Sequence, residues 1–505
     1  MKIFAKKGQV GEESADVVCV VHFAQQKQLS GPSKQIDKAM GGYLQTVIDE
    51  EGFKGRADQT LLVHTHGQVP GKRVLIIGGG DKKTFTLEQF RRMAGSVVRA
   101  AKAVQADSLT ISFEGLTSTK ITSELLGQAL SEGVSLASYQ FTKYKGKEES
   151  DKKDKASLKE VIVLAADAGQ LKQVQKGIDR GVIYAEGAMF VRDLVNEPAV
   201  VVKPKYLAER AVEVGKITGV NVKVYREVDL IKLKMGSFLS VAAGSDEEPY
   251  MVHLSYKPKK KNVKKIVFCG KGITFDSGGL SIKPAQYMET MKMDMAGAAA
   301  VLGMFTQIAK IKPDVEVHGV MLLTENMPSG KATRPGDVVT AYNGTTIEVT
   351  NTDAEGRLIL ADGLSWAEKE IKPDYMVDLA TLTGAAIVAL GQECAAYMGT
   401  DEKLLAQVRG AADVVGEPLW ELPLIQEYVP LMKSEVADFT NSARTPWAGT
   451  ILGGLFLQQF VEKTPWVHID IAGPAFVEHQ ILSYVPKGGS GFGVRTLLEL
   501  VSNLR

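Results

Sequence analysis

Apolar residues in the first part of the chain follow two alternating rhythms. Short β-branched runs at 17–23, 73–77, 109–113 and 160–164 carry the compact apolar pattern of buried strands. Between them, residues 36–49 and 87–104 repeat their apolar positions at helical spacing. This alternation predicts an α/β domain on a largely parallel sheet. Residues 143–155 (KYKGKEESDKKDK) break the rhythm; dense in charge and poor in apolar side chains, they read as a solvated excursion.

Helical spacing returns over 171–195 and stops at Asn196-Glu197-Pro198, where proline forbids continuation. Beyond it, strand-like runs at 222–225, 250–256, 265–270, 315–324, 375–379 and 467–470 are separated by helical patterns at 296–310, 357–370 and 453–462. The expected fold class is α/β, with a smaller N-terminal domain (1–170), a linking helix (171–195) and a larger C-terminal domain with a mixed central sheet (196–505). A length of 505 residues agrees with two hydrophobic cores and exceeds what one usually supports.

Composition narrows the class by exclusion. Lys+Arg of 60 against Asp+Glu of 59 predicts no nucleic-acid, membrane-surface or acidic partner. Cys19, Cys269 and Cys394 are far apart and odd in number, which disfavours a disulfide framework or thiolate zinc site and favours a reducing compartment. The first residues lack the apolar core of a signal peptide, and no apolar run approaches the roughly 20 residues of a membrane span. A cytoplasmic location is expected.

Two segments set charge among small and apolar residues. Residues 266–270 have a buried-strand pattern, and Lys271 follows at the carboxyl end, the edge where open α/β sheets bind ligands. Asp276 precedes Ser277-Gly278-Gly279, which permits close backbone approach, and Lys283 follows shortly after. Asp294 opens an alanine-rich helix and, by itself, reads as a cap. Later, residues 351–358 read NTDAEGRL. Asp353 and Glu355, two apart on an extended segment, would face one side, with Gly356 turning the chain into a helix at Arg357. Alone, this pair reads as a capping carboxylate plus a surface ion pair. Together, four carboxylates without histidine suit hard or borderline cations such as Mn, Mg or Zn. Two cations about 3.5–4 Å apart would neutralise the cluster and share a hydroxide.

NTDAEGRL resembles the signature of the leucyl aminopeptidase family, cytosolic dinuclear metallo-exopeptidases. The resemblance extends through Asn196-Glu197-Pro198, VFCGKGITFDSGGL (267–280), Lys283-Pro284, MKMDMAG (291–297), TLTG (381–384) and HIDIAG (468–473), covering essentially 190–490. It implies that Lys271, Asp276, Asp294, Asp353 and Glu355 bind two divalent metal ions per subunit, Mn2+ or Zn2+. Asp276 and Glu355 would bridge them, with Lys271 and Asp294 completing one site and Asp353 the other. Lys283 and Arg357 would be catalytic, and Met291, Thr381, Leu382 and Gly384 would contact substrate. The implied reaction is release of N-terminal leucine or other apolar residues from short peptides, through a metal-bridging hydroxide, in a homohexamer of two trimers. The physics suits these roles. Lysine ligates metal only as the neutral amine, and a fixed ammonium at Lys283 would stabilise an oxyanion. Arg357 stays protonated and so cannot be a base; its fork suits a planar anion, bicarbonate in the family.

Other signals carry less. His64 and His66 on one strand face lack a partner motif, and there is no HExxH or GxSxG. His468 and Asp470 read as supporting residues behind a site. Gly78-Gly79-Gly80 reads as a plain turn and Cys269 as a buried structural thiol. The basic run 257–265 (KPKKKNVKK) lacks interleaved aromatics and reads as a solvated hairpin, the alternative being a nucleic-acid patch. A dinuclear phosphoesterase shares the metal arithmetic, but the absence of His/Asn ligands and the presence of Lys283 disfavour it.

Overall fold

The computed structural model describes residues 1–112, 114–118, 120–146 and 158–504, so the charged run at 143–155 lies from 147 onward outside the described residues. The chain divides into two compact units, Met1–Glu186 with Gln480–Pro486, and Gly187–His479 with Lys487–Arg505. The dividing point falls inside one continuous helix, Ala168–Asn196. Val174 and Ile178 of that helix pack into the first unit's core. The helix is thus built into the first unit from its start, unlike a linker at 171–195 between two contiguous domains. The return of Gln480–Pro486 has no signal in the local sequence; there Ser483 Oγ donates to the Arg92 carbonyl and Tyr484 Oη to Glu88.

In the first unit, β1 (Lys2–Lys7), β2 (Val17–His22), β3 (Thr60–His64), β4 (Arg73–Gly78), β5 (Ser108–Ser112) and β6 (Glu160–Ala165) form a sheet ordered β1-β6-β5-β2-β4-β3. All pairs are parallel except β3 with β4. The period-2 geometry of a strand explains the apolar runs. Val17 and Cys19 of β2 enter one core and Val18 and Val20 the other, as Leu75 and Ile77 of β4 oppose Val74 and Ile76. The helix expected at 36–49 is two helices, Gly31–Ala39 and Tyr43–Glu50, because Gly41 and Gly42 between them take φ of 65° and 85°. The strand carrying the histidine pair ends at His64; His66 lies beyond it at φ 49°, so the two do not share a strand face. Both are exposed.

The second unit contains β7 (Asn221–Tyr225), β8 (Tyr250–Tyr256), β9 (Lys265–Asp276), β10 (Glu316–Asn326), β11 (Val338–Thr340), β12 (Thr346–Glu348), β13 (Tyr375–Ala380), β14 (Ala395–Gly399), β15 (Leu419–Glu421), β16 (Phe439–Thr440) and β17 (Trp466–Asp470). Its main sheet runs β15-β14-β17-β13-β9-β10-β8-β7, with parallel pairs at the centre, antiparallel pairs flanking them on both sides, and a further parallel pair, β14 with β15, at one edge. The sheet is therefore mixed. Strand β10 lies between β8 and β9, so the basic run at 257–265 is a crossover loop and not a hairpin. Its lysines are partly answered by acids, Lys260 with Asp314 at 3.3 Å and Lys264 with Asp374 at 2.8 Å.

Strand β9 is longer than its apolar core suggested. It continues past Gly270 to Asp276, which sets Lys271 inside the sheet rather than beyond its end. Glycine permits this. A Cβ at Gly270 would lie 2.6 Å from the Cα of Ala298, and one at Gly297 would lie 2.1 Å from the Leu379 carbonyl oxygen. The helix Ala296–Ile311 therefore meets β9 and β13 at backbone distance. Gly297→Ala should overpack this contact and destabilise the protein by about 1–3 kcal/mol. A lowered urea midpoint at constant m-value would show it; an unchanged midpoint would mean that helix and sheet are not in backbone contact.

Candidate metal centre

Five charged side chains meet where β9 ends, although they come from three separate segments. Lys271 lies within β9 and Asp276 is its last residue. Asp294 follows the short 3-10 turn Met291–Met293, and the cap of the next helix is Met295. Asp294 is thus not the N-cap its sequence suggested. Its Oδ1 accepts from Lys271 Nζ at 2.5 Å and from Thr381 Oγ1 at 2.7 Å. Asp353 occupies a turn, and Glu355 is the first residue of the helix Glu355–Trp366. The extended segment and the helix start at Arg357 are corrected accordingly. A turn followed by a helix, rather than strand alternation, aims both carboxylates inward. Gly356 also has a different role from a hinge: a Cβ there would lie 2.3 Å from Lys271 Cε, so its absence lets the lysine stem pass.

One carboxylate oxygen from each of Asp276, Asp353 and Glu355 lies within 4.8 Å of the others. Lys271 Nζ sits 3.0 Å from Glu355 and donates to the Thr381 carbonyl at 2.8 Å. Lys283 Nζ sits 2.9 Å from Asp276 and 2.5 Å from Asp353. Two ammonium groups thus stand among four carboxylates. Burial opposes charge on both lysines, yet Asp294, Glu355 and Asp276 around Lys271, and Asp276, Glu355 and Asp353 around Lys283, hold both pKa values above the ordinary lysine range. Asp294, Asp353 and Glu355 shift upward as well. Burial, then repulsion from Asp276, pushes Glu355 up to about 8; burial raises Asp294 to about 6 and Asp353 in the same direction. Oδ2 of Asp294 is buried without a hydrogen-bond partner among the described residues. A buried carboxylate oxygen of this kind, beside convergent oxygens and an amine, is a donor set that fits divalent cations.

Residues outside the charged set hold this cluster, and one of them, Asn326, carried no sequence signal. Asn326 stands opposite Asp276 after a register shift in the β9–β10 pairing. Its Nδ2 donates to Asp276 Oδ1 at 2.8 Å and to the Thr352 carbonyl at 3.0 Å. Asp470 accepts from the Leu382 amide at 3.0 Å and from Thr383 Oγ1 at 2.6 Å, fixing the 381–384 segment. His468 contacts Asp378 at 2.6 Å deep in the sheet, away from the carboxylate group. Cys269 is buried, and burial raises its thiol pKa.

A cavity of about 350 Å³ opens over the cluster. Lys271, Asp276, Lys283, Asp294, Asp353 and Glu355 line it; Met291, Thr381, Leu382 and Gly384 line it too, joined by Ile387 and Phe476. Arg357 is not in the lining. It is buried, its Nη1 donates to the Asn441 carbonyl at 3.0 Å, and its Nε has no partner among the described residues. A surface ion pair is therefore excluded for it.

Residues 189–498 match the catalytic domain, and residues 17–148 the N-terminal domain, of the cytosol aminopeptidase family. The chain belongs to this family. It is 41% identical over 504 residues to a probable cytosol aminopeptidase of Alkaliphilus oremlandii (strain OhILAs), covering 100% of both chains. It is likewise 41% identical to the protein of that name from Persephonella marina, again with 100% of each covered. Among solved structures, a tomato leucine aminopeptidase mutant superposes with a TM-score of 0.88 at 34% identity, covering 99% of this chain and 96% of that one. The bottromycin maturation enzyme BotP in complex with Mn gives 0.85 at 34% identity, covering 97% and 100%. Cytosol aminopeptidases are metal-dependent enzymes that act on peptides, and the carboxylate cluster is where this chain has the donors for metal. Among the described residues, no helix is long and apolar enough to cross a membrane.

Metal binding at this cluster would have to displace protons. With Glu355 raised to about 8 and Asp294 to about 6, both bind protons in the metal-free protein that a cation must expel. Affinity for Mn2+ should therefore rise from pH 6 to 8, with proton release at pH 7; loss of the Lys271 proton would extend the slope above pH 8. Calorimetric titration of metal-free protein in buffers of different ionisation enthalpy measures this. Equal heats in all buffers would contradict it.

Proposed function

We propose that the protein is a leucyl aminopeptidase that releases N-terminal leucine and other apolar residues from short peptides with a free N-terminus. The observation that carries this reading is the cavity itself, whose lining combines convergent carboxylates and two lysines with Met291, Leu382, Ile387 and Phe476. Apolar lining together with a charged cluster suits an apolar terminal side chain whose scissile bond lies over the cluster.

Lys271, Asp276, Asp294, Asp353 and Glu355 would hold two divalent ions, Mn2+ or Zn2+, with Asp276 and Glu355 common to both. Bound there, such ions supply Lewis acidity and hydroxide at neutral pH. Lys283 faces the cavity and stays protonated in the field of Asp276, Glu355 and Asp353, against the opposing effect of burial. It would meet the negative charge that develops on the carbonyl oxygen in the transition state. Met291, Thr381, Leu382 and Gly384 would seat the terminal residue. The buried, unpartnered Nε of Arg357 supports an anion such as bicarbonate at that guanidinium, placed to accept and pass on a proton. Family membership supports a homohexamer, and free Cys19 and Cys269 agree with a reducing, cytoplasmic setting.

Protein reconstituted with Mn2+ should hydrolyse leucine p-nitroanilide and leave p-nitrophenyl phosphate intact; cleavage of the phosphate ester alone would replace the peptidase with a phosphoesterase. Lys283→Ala should lower kcat by ~10²–10³-fold with little change in KM, as expected for a group that acts on the transition state. An unchanged kcat would remove Lys283 from the mechanism. Glu355→Ala should abolish metal-dependent turnover while the far-UV circular dichroism stays that of the parent; near-normal turnover would sink its role as a bridge.

A further inference from the structure

Asn441 is fully buried and lies about 90 residues from the metal-binding segment in sequence, yet much of that segment's backbone leads to it. It follows β16, whose two residues pair in parallel with β12, Phe439 with Ile347 and Thr440 with Glu348. The ladder stops there. The Asn441 amide extends it by one bond, donating to the Glu348 carbonyl at 3.0 Å. From then on the side chain takes over. Its Oδ1 accepts from the amides of Thr350 at 2.9 Å and Asn351 at 3.2 Å, and its Nδ2 donates to the carbonyls of Asn351 at 2.7 Å and Ala354 at 3.3 Å. A carboxamide carries the same acceptor and donor groups as a peptide bond, so it can substitute for the missing neighbouring strand. The reversed amide orientation would turn its NH2 toward two N–H donors and its oxygen toward two carbonyls. This pattern fixes the side chain one way round.

The residues held this way are the ones the site needs held. Asp353 lies between Asn351 and Ala354, Glu355 follows directly, and the Asn441 carbonyl also accepts from Arg357 Nη1 at 3.0 Å. Without Asn441, the amides of Thr350 and Asn351 would lose their protein acceptor in a half-buried setting, and the turn before Glu355 would lose its anchor. We infer that Asn441 is a positioning residue for the metal centre: its side chain clamps the backbone bearing Asp353 and Glu355, while its main-chain carbonyl holds the Arg357 guanidinium. The inference rests on the metal-centre reading given above, since it assigns the clamp a task there.

The test compares full-length wild type, Asn441→Ala and the isosteric Asn441→Asp, which keeps the acceptor and loses both donors. Calorimetry on metal-free protein should give Mn2+ affinity ~10–100-fold weaker in both variants, the range found when groups supporting metal ligands are removed. Turnover of leucine p-nitroanilide at saturating Mn2+ should fall in kcat more than it changes in KM. Hydrogen exchange on metal-free wild type should show the Thr350 and Asn351 amides protected although they lie outside any strand, and the protection lost in Asn441→Ala. Folded variants with wild-type Mn2+ affinity and kcat would overturn the inference, because a purely structural residue would move only the unfolding midpoint. Rapid exchange of those amides in wild type would overturn it even if neither variant folds. Failure of wild type to bind Mn2+ would instead remove the metal centre, and with it the task assigned to Asn441, even where exchange shows the clamp intact.

Discussion

The constraint on which the second unit depends is the burial of like charge. Asp276, Asp294 and Glu355 are almost wholly removed from water, and their carboxylates repel one another across a few ångströms. Isolated, such charges would cost several kcal/mol each. Two responses are visible: Lys271 and Lys283 are threaded among the oxygens, and burial pushes Asp294 and Glu355 toward the protonated state. The surrounding architecture makes the first response workable. The glycines at 270, 297 and 356 bring helix, strand and loop to backbone distance, so a lysine stem can cross the sheet edge to reach three acceptors. A more open arrangement would admit water and lose the steep electrostatics that metal binding and oxyanion stabilisation both use.

How much of this could be read from the sequence depended on whether the information was local. Strands β2 and β4 were legible because alternate residues feed two cores, a rhythm that a short window contains. The family was legible from its motifs, and the charged site residues they implied, other than Arg357, line one cavity. Their local geometry was not. Lys271 read as the residue after a strand because a charge ordinarily ends a buried run, whereas β10 and β13 on either side carry β9 through it. Asp294 read as a helix cap because aspartate before alanines usually is one; its carboxylate turns instead to Lys271 and Thr381. Glu355 read as part of an extended pair, but helix formation begins at that residue. In each case a tertiary partner overrode a sound local preference.

Asn326 and Asn441 show the opposite failure, since no local preference pointed to them at all; Asp470 read as a residue behind the site, but with no partner assigned to it. Each is a short polar side chain next to a strand end, where the ladder stops and buried backbone groups still need partners. Each satisfies those groups in a segment far away in sequence. Asn326 serves Thr352, Asn441 serves Thr350 to Ala354, and Asp470 serves Leu382 and Thr383. Their importance follows from strand register, which a single chain's sequence encodes only through pairings it does not display.

The two lysines of the site show how environment divides one residue type into two roles. Burial disfavours charge on both, and neighbouring carboxylates favour it on both, so pKa direction does not separate them. Hydrogen-bonding capacity does. An ammonium has three donors. Those of Lys271 meet Asp294, Glu355 and the Thr381 carbonyl, which leaves nothing to offer a substrate. Lys283 engages Asp276 and Asp353, and its nitrogen is on the more accessible side of the cluster, 15% exposed against 3% for Lys271. The saturated lysine is the one suited to be enclosed with a cation once its proton leaves, because its nitrogen is already aimed by three fixed partners. The less saturated one keeps a donor free, as the oxyanion role proposed for it would require. Position along β9 decides which is which: Lys271 stands inside the sheet, and Lys283 lies beyond the Gly278-Gly279 turn that follows the strand's last residue.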